Sequence, residues 1–131
     1  MNGLARRFMI LAVISAIVGM GWGIQMSASG DHGLSVAHAH LNLLGWVGFA
    51  IFAFYYHLVP QAAQGRLARA HFALAVTGVV FIVPGIVSAV QGTGETLAKI
   101  GSILTVLSLI AFAAVVLRPH RASAPSRPAV A

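Results

Sequence analysis

Two histidines separated by one residue, His38 and His40, are the side chains of this sequence best suited to chemistry. They lie in a run from Ala37 to Trp46, just inside an apolar stretch long enough to cross a membrane. An ionisable residue in a spanning helix is costly and marks a functional site by default. Because imidazole is the common protein ligand of haem iron and of copper, the pair predicts a haem or metal site.

The spacing of the two histidines decides how they can act. Consecutive residues of an α-helix turn by about 100°, so the rings of His38 and His40 point about 200° apart. They cannot bind one metal ion together while the helix stays regular, but they can serve two sites on opposite sides of it. The alternative is that both rings are neutral and hydrated at the membrane interface.

Three residues that follow the histidines extend the candidate cofactor-binding site. Asn42 lies about half a turn beyond His40, where its amide can bond a ligand histidine, a haem propionate or a backbone carbonyl. Gly45, with Gly48, can make room for a flat cofactor, although ordinary helix packing in lipid explains small residues equally well. Trp46 lies roughly two turns deeper than His38 and completes the set.

The other histidines are weaker candidates as metal ligands. His32 lies in a loop beside Asp31, where it could complete a copper site with His38. His57 and His71 flank the connection between the second and third apolar segments, so they could approach each other and hold a metal. The common alternative for all three is an interfacial or solvated side chain.

The composition indicates an integral membrane protein. The 131 residues are 59% hydrophobic and only 8% charged, with a mean hydropathy of +0.91. A soluble domain carries about 25% charged residues, so this chain lacks the charge to cover a surface that faces water. Cysteine is absent, which excludes disulfides, thiolate metal sites and iron–sulfur clusters. With two carboxylates in the whole chain, hydrolases and carboxylate-driven proton pumps are also unsupported.

Four apolar windows meet the length of about 20 residues that a spanning helix needs. They cover residues 8–26, 36–59, 68–90 and 97–117, and their short connections predict antiparallel neighbours. The expected fold is an all-α membrane protein, with a single four-helix transmembrane domain over residues 1–118. Residues 119–131 are rich in Pro, Ala, Ser and Arg, which predicts a disordered tail.

The charges predict the orientation of the chain. The arginines precede the first span, lie between the second and third, or follow the fourth; with four spans these regions share one side. The other side holds Asp31, Glu95 and Lys99. The positive-inside rule then predicts cytoplasmic N- and C-termini in a bacterial inner membrane. The net charge of +6 is explained by topology and by attraction to anionic lipid, and not by nucleic acid.

The first segment has a second interpretation. Arg6 and Arg7, an apolar run and the small residues Ser27, Ala28 and Ser29 resemble a cleavable signal peptide. The apolar run is longer than the usual core of a signal peptide, and this favours a retained helix.

The run from Ala37 to Gly45 resembles the haem-ligand helix of subunit I of the haem-copper oxidases and nitric-oxide reductases. In that family, twelve helices form three arcs of four, and the second helix of each arc carries metal ligands. In the third arc this helix bears a His-x-His that binds two haems, one on each side of the helix, as His38 and His40 would. His40-Leu41-Asn42-Leu43-Leu44 is also similar to the family's other low-spin haem helix.

The resemblance implies a single four-helix arc that oligomerises into a ring like that of the family. Three copies would give twelve helices, and cyclic symmetry closes such contacts. His40 of one protomer and His38 of the next would then bind one b-type haem, in a homotrimer by preference and a dimer as the alternative. The family's copper-site pattern His-Pro-Glu-Val-Tyr is absent, so oxidoreductase activity of the haem-copper type stays open.

The sequence therefore predicts a membrane haem protein that transfers electrons to or from a redox partner in a respiratory chain. If one histidine bond is weak, the open iron position would bind a diatomic gas such as O2 or NO. Two other classes remain. One is a copper- or metal-binding membrane protein that uses His32, His38 and His40, or His57 and His71. The other is a cofactor-free accessory subunit of a larger respiratory complex.

Overall fold

A computed structural model describes Met1 and residues 3–119, and every regular element in this part of the chain is helical. Four helices are long and apolar enough to cross a membrane, which confirms the all-α class and the four spans. They are α1 (Gly3–Ser29), α2 (Ser35–Leu58), α3 (Arg66–Val90) and α4 (Thr96–Leu117). The predicted disordered tail lies outside the described residues, apart from Pro119.

The helices start closer to the charged residues than the apolar windows indicated. The largest difference is in α1, which begins at Gly3 and includes Arg6 and Arg7 in its first turns. Both arginines are exposed. Long cationic side chains can extend along the helix to water while their stems cover apolar surface, so a charge near the interface does not end a helix.

The loops define two ends of the molecule. The loops between α1 and α2 and between α3 and α4 carry Asp31 and Glu95, and we call this the outer end. The opposite end, called the basic end, holds Arg6, Arg66 and Arg118. His38 and His40 lie in the first turns of α2, next to the outer end.

The helix α2 is not regular along its length, although a regular helix was predicted for this span. Ser35–His40 is α-helical, Leu41–Gly48 is π-helical, and Phe49–Leu58 is α-helical again. The side-chain amide of Asn42 donates to the carbonyl of His38 at 2.9 Å, and a backbone N–H would use this acceptor in an α-helix. π-Helical turns are rare and occur frequently at functional sites.

The four helices follow one another as an open arc. α1 packs along α2, the outer part of α2 packs against α3, and the most extensive contact joins α3 to α4. In the part of the chain that the structure describes, α1 and α4 do not pack along each other. Large apolar side chains such as Ile24, Leu58, Ile103 and Leu117 are exposed along the helices, as expected for surfaces that face lipid.

An aromatic cluster near the basic end joins the helices. Its six rings come from all four of them: Phe8, Phe52, Tyr56, His71, Phe72 and Phe112. Phe8 and Tyr56 stack with ring centroids 5.9 Å apart, and Phe8, Tyr56 and His71 are almost completely buried. The core of the protein therefore lies at the end opposite to the His38–His40 pair.

Candidate functional site

His38 faces α1. Its ring meets the ring of Trp22 edge-on, with centroids 6.1 Å apart. A Cβ atom added to Gly23 would lie 3.2 Å from Cε1 and 3.7 Å from Nε2 of His38. The edge of the imidazole that carries Nε2 therefore packs closely on α1, and a side chain at position 23 would crowd it.

His40 is held by its own helix. Its Nδ1 lies 2.8 Å from the carbonyl oxygen of Val36. A carbonyl oxygen can only accept, so Nδ1 carries a proton and donates it. This bond fixes the tautomer and the orientation of the ring, which is the usual arrangement around a metal-binding histidine.

The two histidines are therefore directed to different environments. The ring of His38 contacts Trp22 of α1, whereas the ring of His40 donates a hydrogen bond to the backbone of its own helix, at Val36. Both lie within the α-helical turns Ser35–His40, where their spacing separates the rings by about 200°. A single metal ion cannot reach both rings of one chain, so each ring can only complete a site with a ligand from elsewhere.

Asn42 and Gly45 line the contact between α2 and α1. The Asn42 amide donates to the His38 carbonyl, and its Nδ2 is also 3.4 Å from each ring nitrogen of His38. The amide lies against Gly19, where a Cβ atom would come within 2.5 Å of Oδ1. Gly45 is buried, and a Cβ atom there would lie 2.7 Å from Oγ of Ser15. Gly45 thus serves helix packing inside one chain.

Trp46 and the face around it are open. The Trp46 side chain is 43% exposed, and Leu43 and Val47 beside it are also exposed. These residues belong to the π-helical segment that follows the histidines. Trp46 therefore does not contribute to the core of a single protomer, and it is available to lipid, to a cofactor or to another copy of the chain.

His32 is exposed in the outer loop, where its Nδ1 donates to the carbonyl of Gly30 at 3.1 Å. Within residues 1 and 3–119, no three His, Cys, Asp or Glu side chains come close enough to hold a metal ion. His32, His38 and His40 of one chain therefore do not form a three-ligand copper site.

His57 and His71 have different surroundings. His57 is exposed at the end of α2, whereas His71 is 0% exposed within the aromatic cluster. The Nδ1 atom of His71 lies 2.9 Å from the hydroxyl oxygen of Tyr56. Its Nε2 atom is buried without a hydrogen-bond partner. The two histidines do not share an environment, and the partner that the structure gives His71 is a tyrosine.

The Tyr56–His71 pair is a packing element that sequence reasoning did not find. Every span has an aromatic residue near the basic end, and this pattern is the signal that could have indicated the pair. An apolar window does not show whether such a ring is buried or faces lipid. The ring of Phe52 stands nearly perpendicular to that of His71, at a centroid distance of 4.5 Å and an angle of 84°. Aromatic surface thus surrounds the unpaired nitrogen.

We expect a double-mutant cycle to show that Tyr56 and His71 act as a unit. Tyr56→Phe leaves both nitrogens of the buried His71 unpaired and should lower the free energy of unfolding by about 1–3 kcal/mol. His71→Phe leaves the buried hydroxyl unpaired and should cost a similar amount. The double variant removes both polar groups and should be close to wild type in SDS titrations of mixed micelles. Additive losses would contradict this coupling.

A comparison with protein-family models, with curated proteins and with solved structures finds no match to this chain. The function of His38 and His40 must therefore be inferred from the chemistry of the two side chains and their surroundings.

Proposed function

We propose that this protein is a b-type haem protein of the membrane that transfers electrons, with His38 and His40 as the axial ligands. His40 would bind from one protomer and His38 from the next, so that each haem lies between two chains. When bound, the haem supplies an iron centre that exchanges one electron. His38 and His40 would hold that centre, and the residues around them would tune its potential.

The observation that carries the proposal is the hydrogen bond between Nδ1 of His40 and the Val36 carbonyl, at 2.8 Å. It fixes the orientation of the ring and leaves Nε2 as the nitrogen that does not contact the helix backbone. A metal ligand gains both basicity and orientation from such a bond.

The surroundings of His38 also fit an axial ligand. Gly23 allows the Cε1–Nε2 edge of His38 to pack closely on α1, and Trp22 supplies an aromatic wall on one side. Asn42 holds the helix backbone at His38 and lies beside its ring. A flat apolar macrocycle would find aromatic and small residues here, and few charges to bury.

The open arc supports an oligomer. Because α1 and α4 do not pack along each other in the described residues, both flanks of the arc present apolar surface. Cyclic symmetry joins one flank to the other without leaving an edge. A homotrimer would give twelve helices and three equivalent haems, and a dimer would satisfy the same ligand pairing.

A reduced-minus-oxidised visible spectrum of the detergent-purified protein tests this function. The wild type should show the sharp α band of a low-spin b-type haem. His38→Ala and His40→Ala should each abolish the band or convert it to a high-spin spectrum. His57→Ala, which removes an exposed histidine at the basic end, is the matched control and should keep the band.

The same spectra separate the alternatives. If the iron of the wild type is high-spin and binds carbon monoxide, one axial position is open and the protein is a gas-binding version of the same design. If no Soret band appears after expression with ample haem, the haem assignment is wrong. The copper-binding and accessory-subunit interpretations would then remain, and metal analysis of the purified protein would distinguish them.

A further inference from the structure

A cleft at the basic end lies between the start of α3, the end of α4 and the loop that precedes α3. Its volume of about 160 Å³ corresponds to roughly five water molecules. Two arginines, Arg66 and Arg118, and two glutamines, Gln61 and Gln64, are among the residues that line it. The cleft is thus a polar and positively charged recess at a level where the helices leave the membrane.

The arginines of the cleft have no acidic side chain to pair with at this end. The sequence contains two acidic residues, Asp31 and Glu95, and both lie in loops at the outer end. Glu95 is already paired with Lys99, with 3.0 Å between Oε2 and Nζ. No acidic side chain of the described residues therefore neutralises Arg66 and Arg118 at this end.

We propose that this cleft binds the phosphate of an anionic phospholipid headgroup. Arginine presents a planar fork of donors that matches two phosphate oxygens, and the glutamine amides supply further donors. The recess lies beside two helix ends, at the depth where headgroups lie, and the apolar surfaces of α3 and α4 continue from it toward the membrane. The proposal is independent of haem binding.

The test measures thermal unfolding of the full chain in neutral detergent during titration with short-chain phosphatidylglycerol. The wild type should be stabilised in a saturable way. An arginine near an anionic surface contributes about a fivefold factor in affinity. The variant R66Q/R118Q should therefore bind about 25-fold more weakly. The variant R6Q/R7Q removes the same charge from the same end but outside the cleft, and it should bind like wild type.

Two further titrations identify the source of the phosphate. Phosphatidylcholine carries the same phosphate without net charge and should stabilise the wild type much less than phosphatidylglycerol. Inorganic phosphate at the same concentration should have no effect; an equal stabilisation by it would replace the lipid site with a free-phosphate site. If R6Q/R7Q lost as much affinity as R66Q/R118Q, the attraction would belong to the whole basic end, and the proposal of a defined cleft would be wrong.

Discussion

Co-expression of His38→Ala and His40→Ala chains should restore a low-spin haem that neither variant binds alone. In the shared-site arrangement, the H38A chain still offers His40 and the H40A chain still offers His38. An interface that joins these two in the correct order has a complete pair of axial ligands. Complexes of one variant have a single ligand at every interface, so their spectra should lack the low-spin α band.

The stoichiometry makes this result specific. A mixed trimer contains one complete interface among its three, so tandem purification through two different tags should yield at most one low-spin haem per trimer. H38A chains that carry both tags are the control and should give none. If wild type binds haem but the mixed complex does not, both ligands come from one chain or from other residues. The shared site would then be wrong while haem binding itself stood.

Single methyl groups at Gly85 and Gly101 should separate α3 from α4. A Cβ atom on Gly85 would collide with the backbone of Leu97 and Ala98, and one on Gly101 would collide with the backbone of Ile82. Backbone cannot rotate away as a flexible side chain can, so the helices must move apart. We expect Gly85→Ala and Gly101→Ala each to lower the free energy of unfolding by about 2–3 kcal/mol.

Gly21 provides a matched control for these two substitutions. It is an exposed glycine within α1, and a Cβ atom there would meet nothing within 4 Å. Gly21→Ala should be neutral or stabilising by up to about 1 kcal/mol, because alanine favours the helix. SDS unfolding titrations compare the three variants directly. Equal stability of Gly101→Ala and Gly21→Ala would contradict the close contact between α3 and α4.

The sequence predicted the features that depend on composition and period. Four spans follow from four long apolar windows, and the opposed directions of His38 and His40 follow from two residues of α-helix. Neither prediction requires knowledge of which helices pack against each other. The predicted start of α1 is too late, because a window of apolar residues stops at Arg6 and Arg7. The helix includes both arginines, since their long side chains can extend to water.

The features that were not predicted depend on contacts between helices. The buried Tyr56–His71 hydrogen bond joins residues on two different helices, and no local pattern distinguishes His71 from the exposed His57. The proximity of Gly45 to Ser15 is likewise a property of the interface between α1 and α2. The π-helical segment could not be read from the sequence, since its residues favour an ordinary helix equally well.

The π-helical segment Leu41–Gly48 separates the histidine pair from the half of α2 that is fixed in the aromatic cluster. A π-helical turn closes i→i+5 hydrogen bonds where an α-helical turn closes i→i+4, so it holds about one residue more. Deletion of one residue within this segment should therefore return it to an α-helix, with Phe52 and Tyr56 on one side and His38 and His40 on the other keeping their directions. The length of α2 can thus change by one residue here without turning either imidazole.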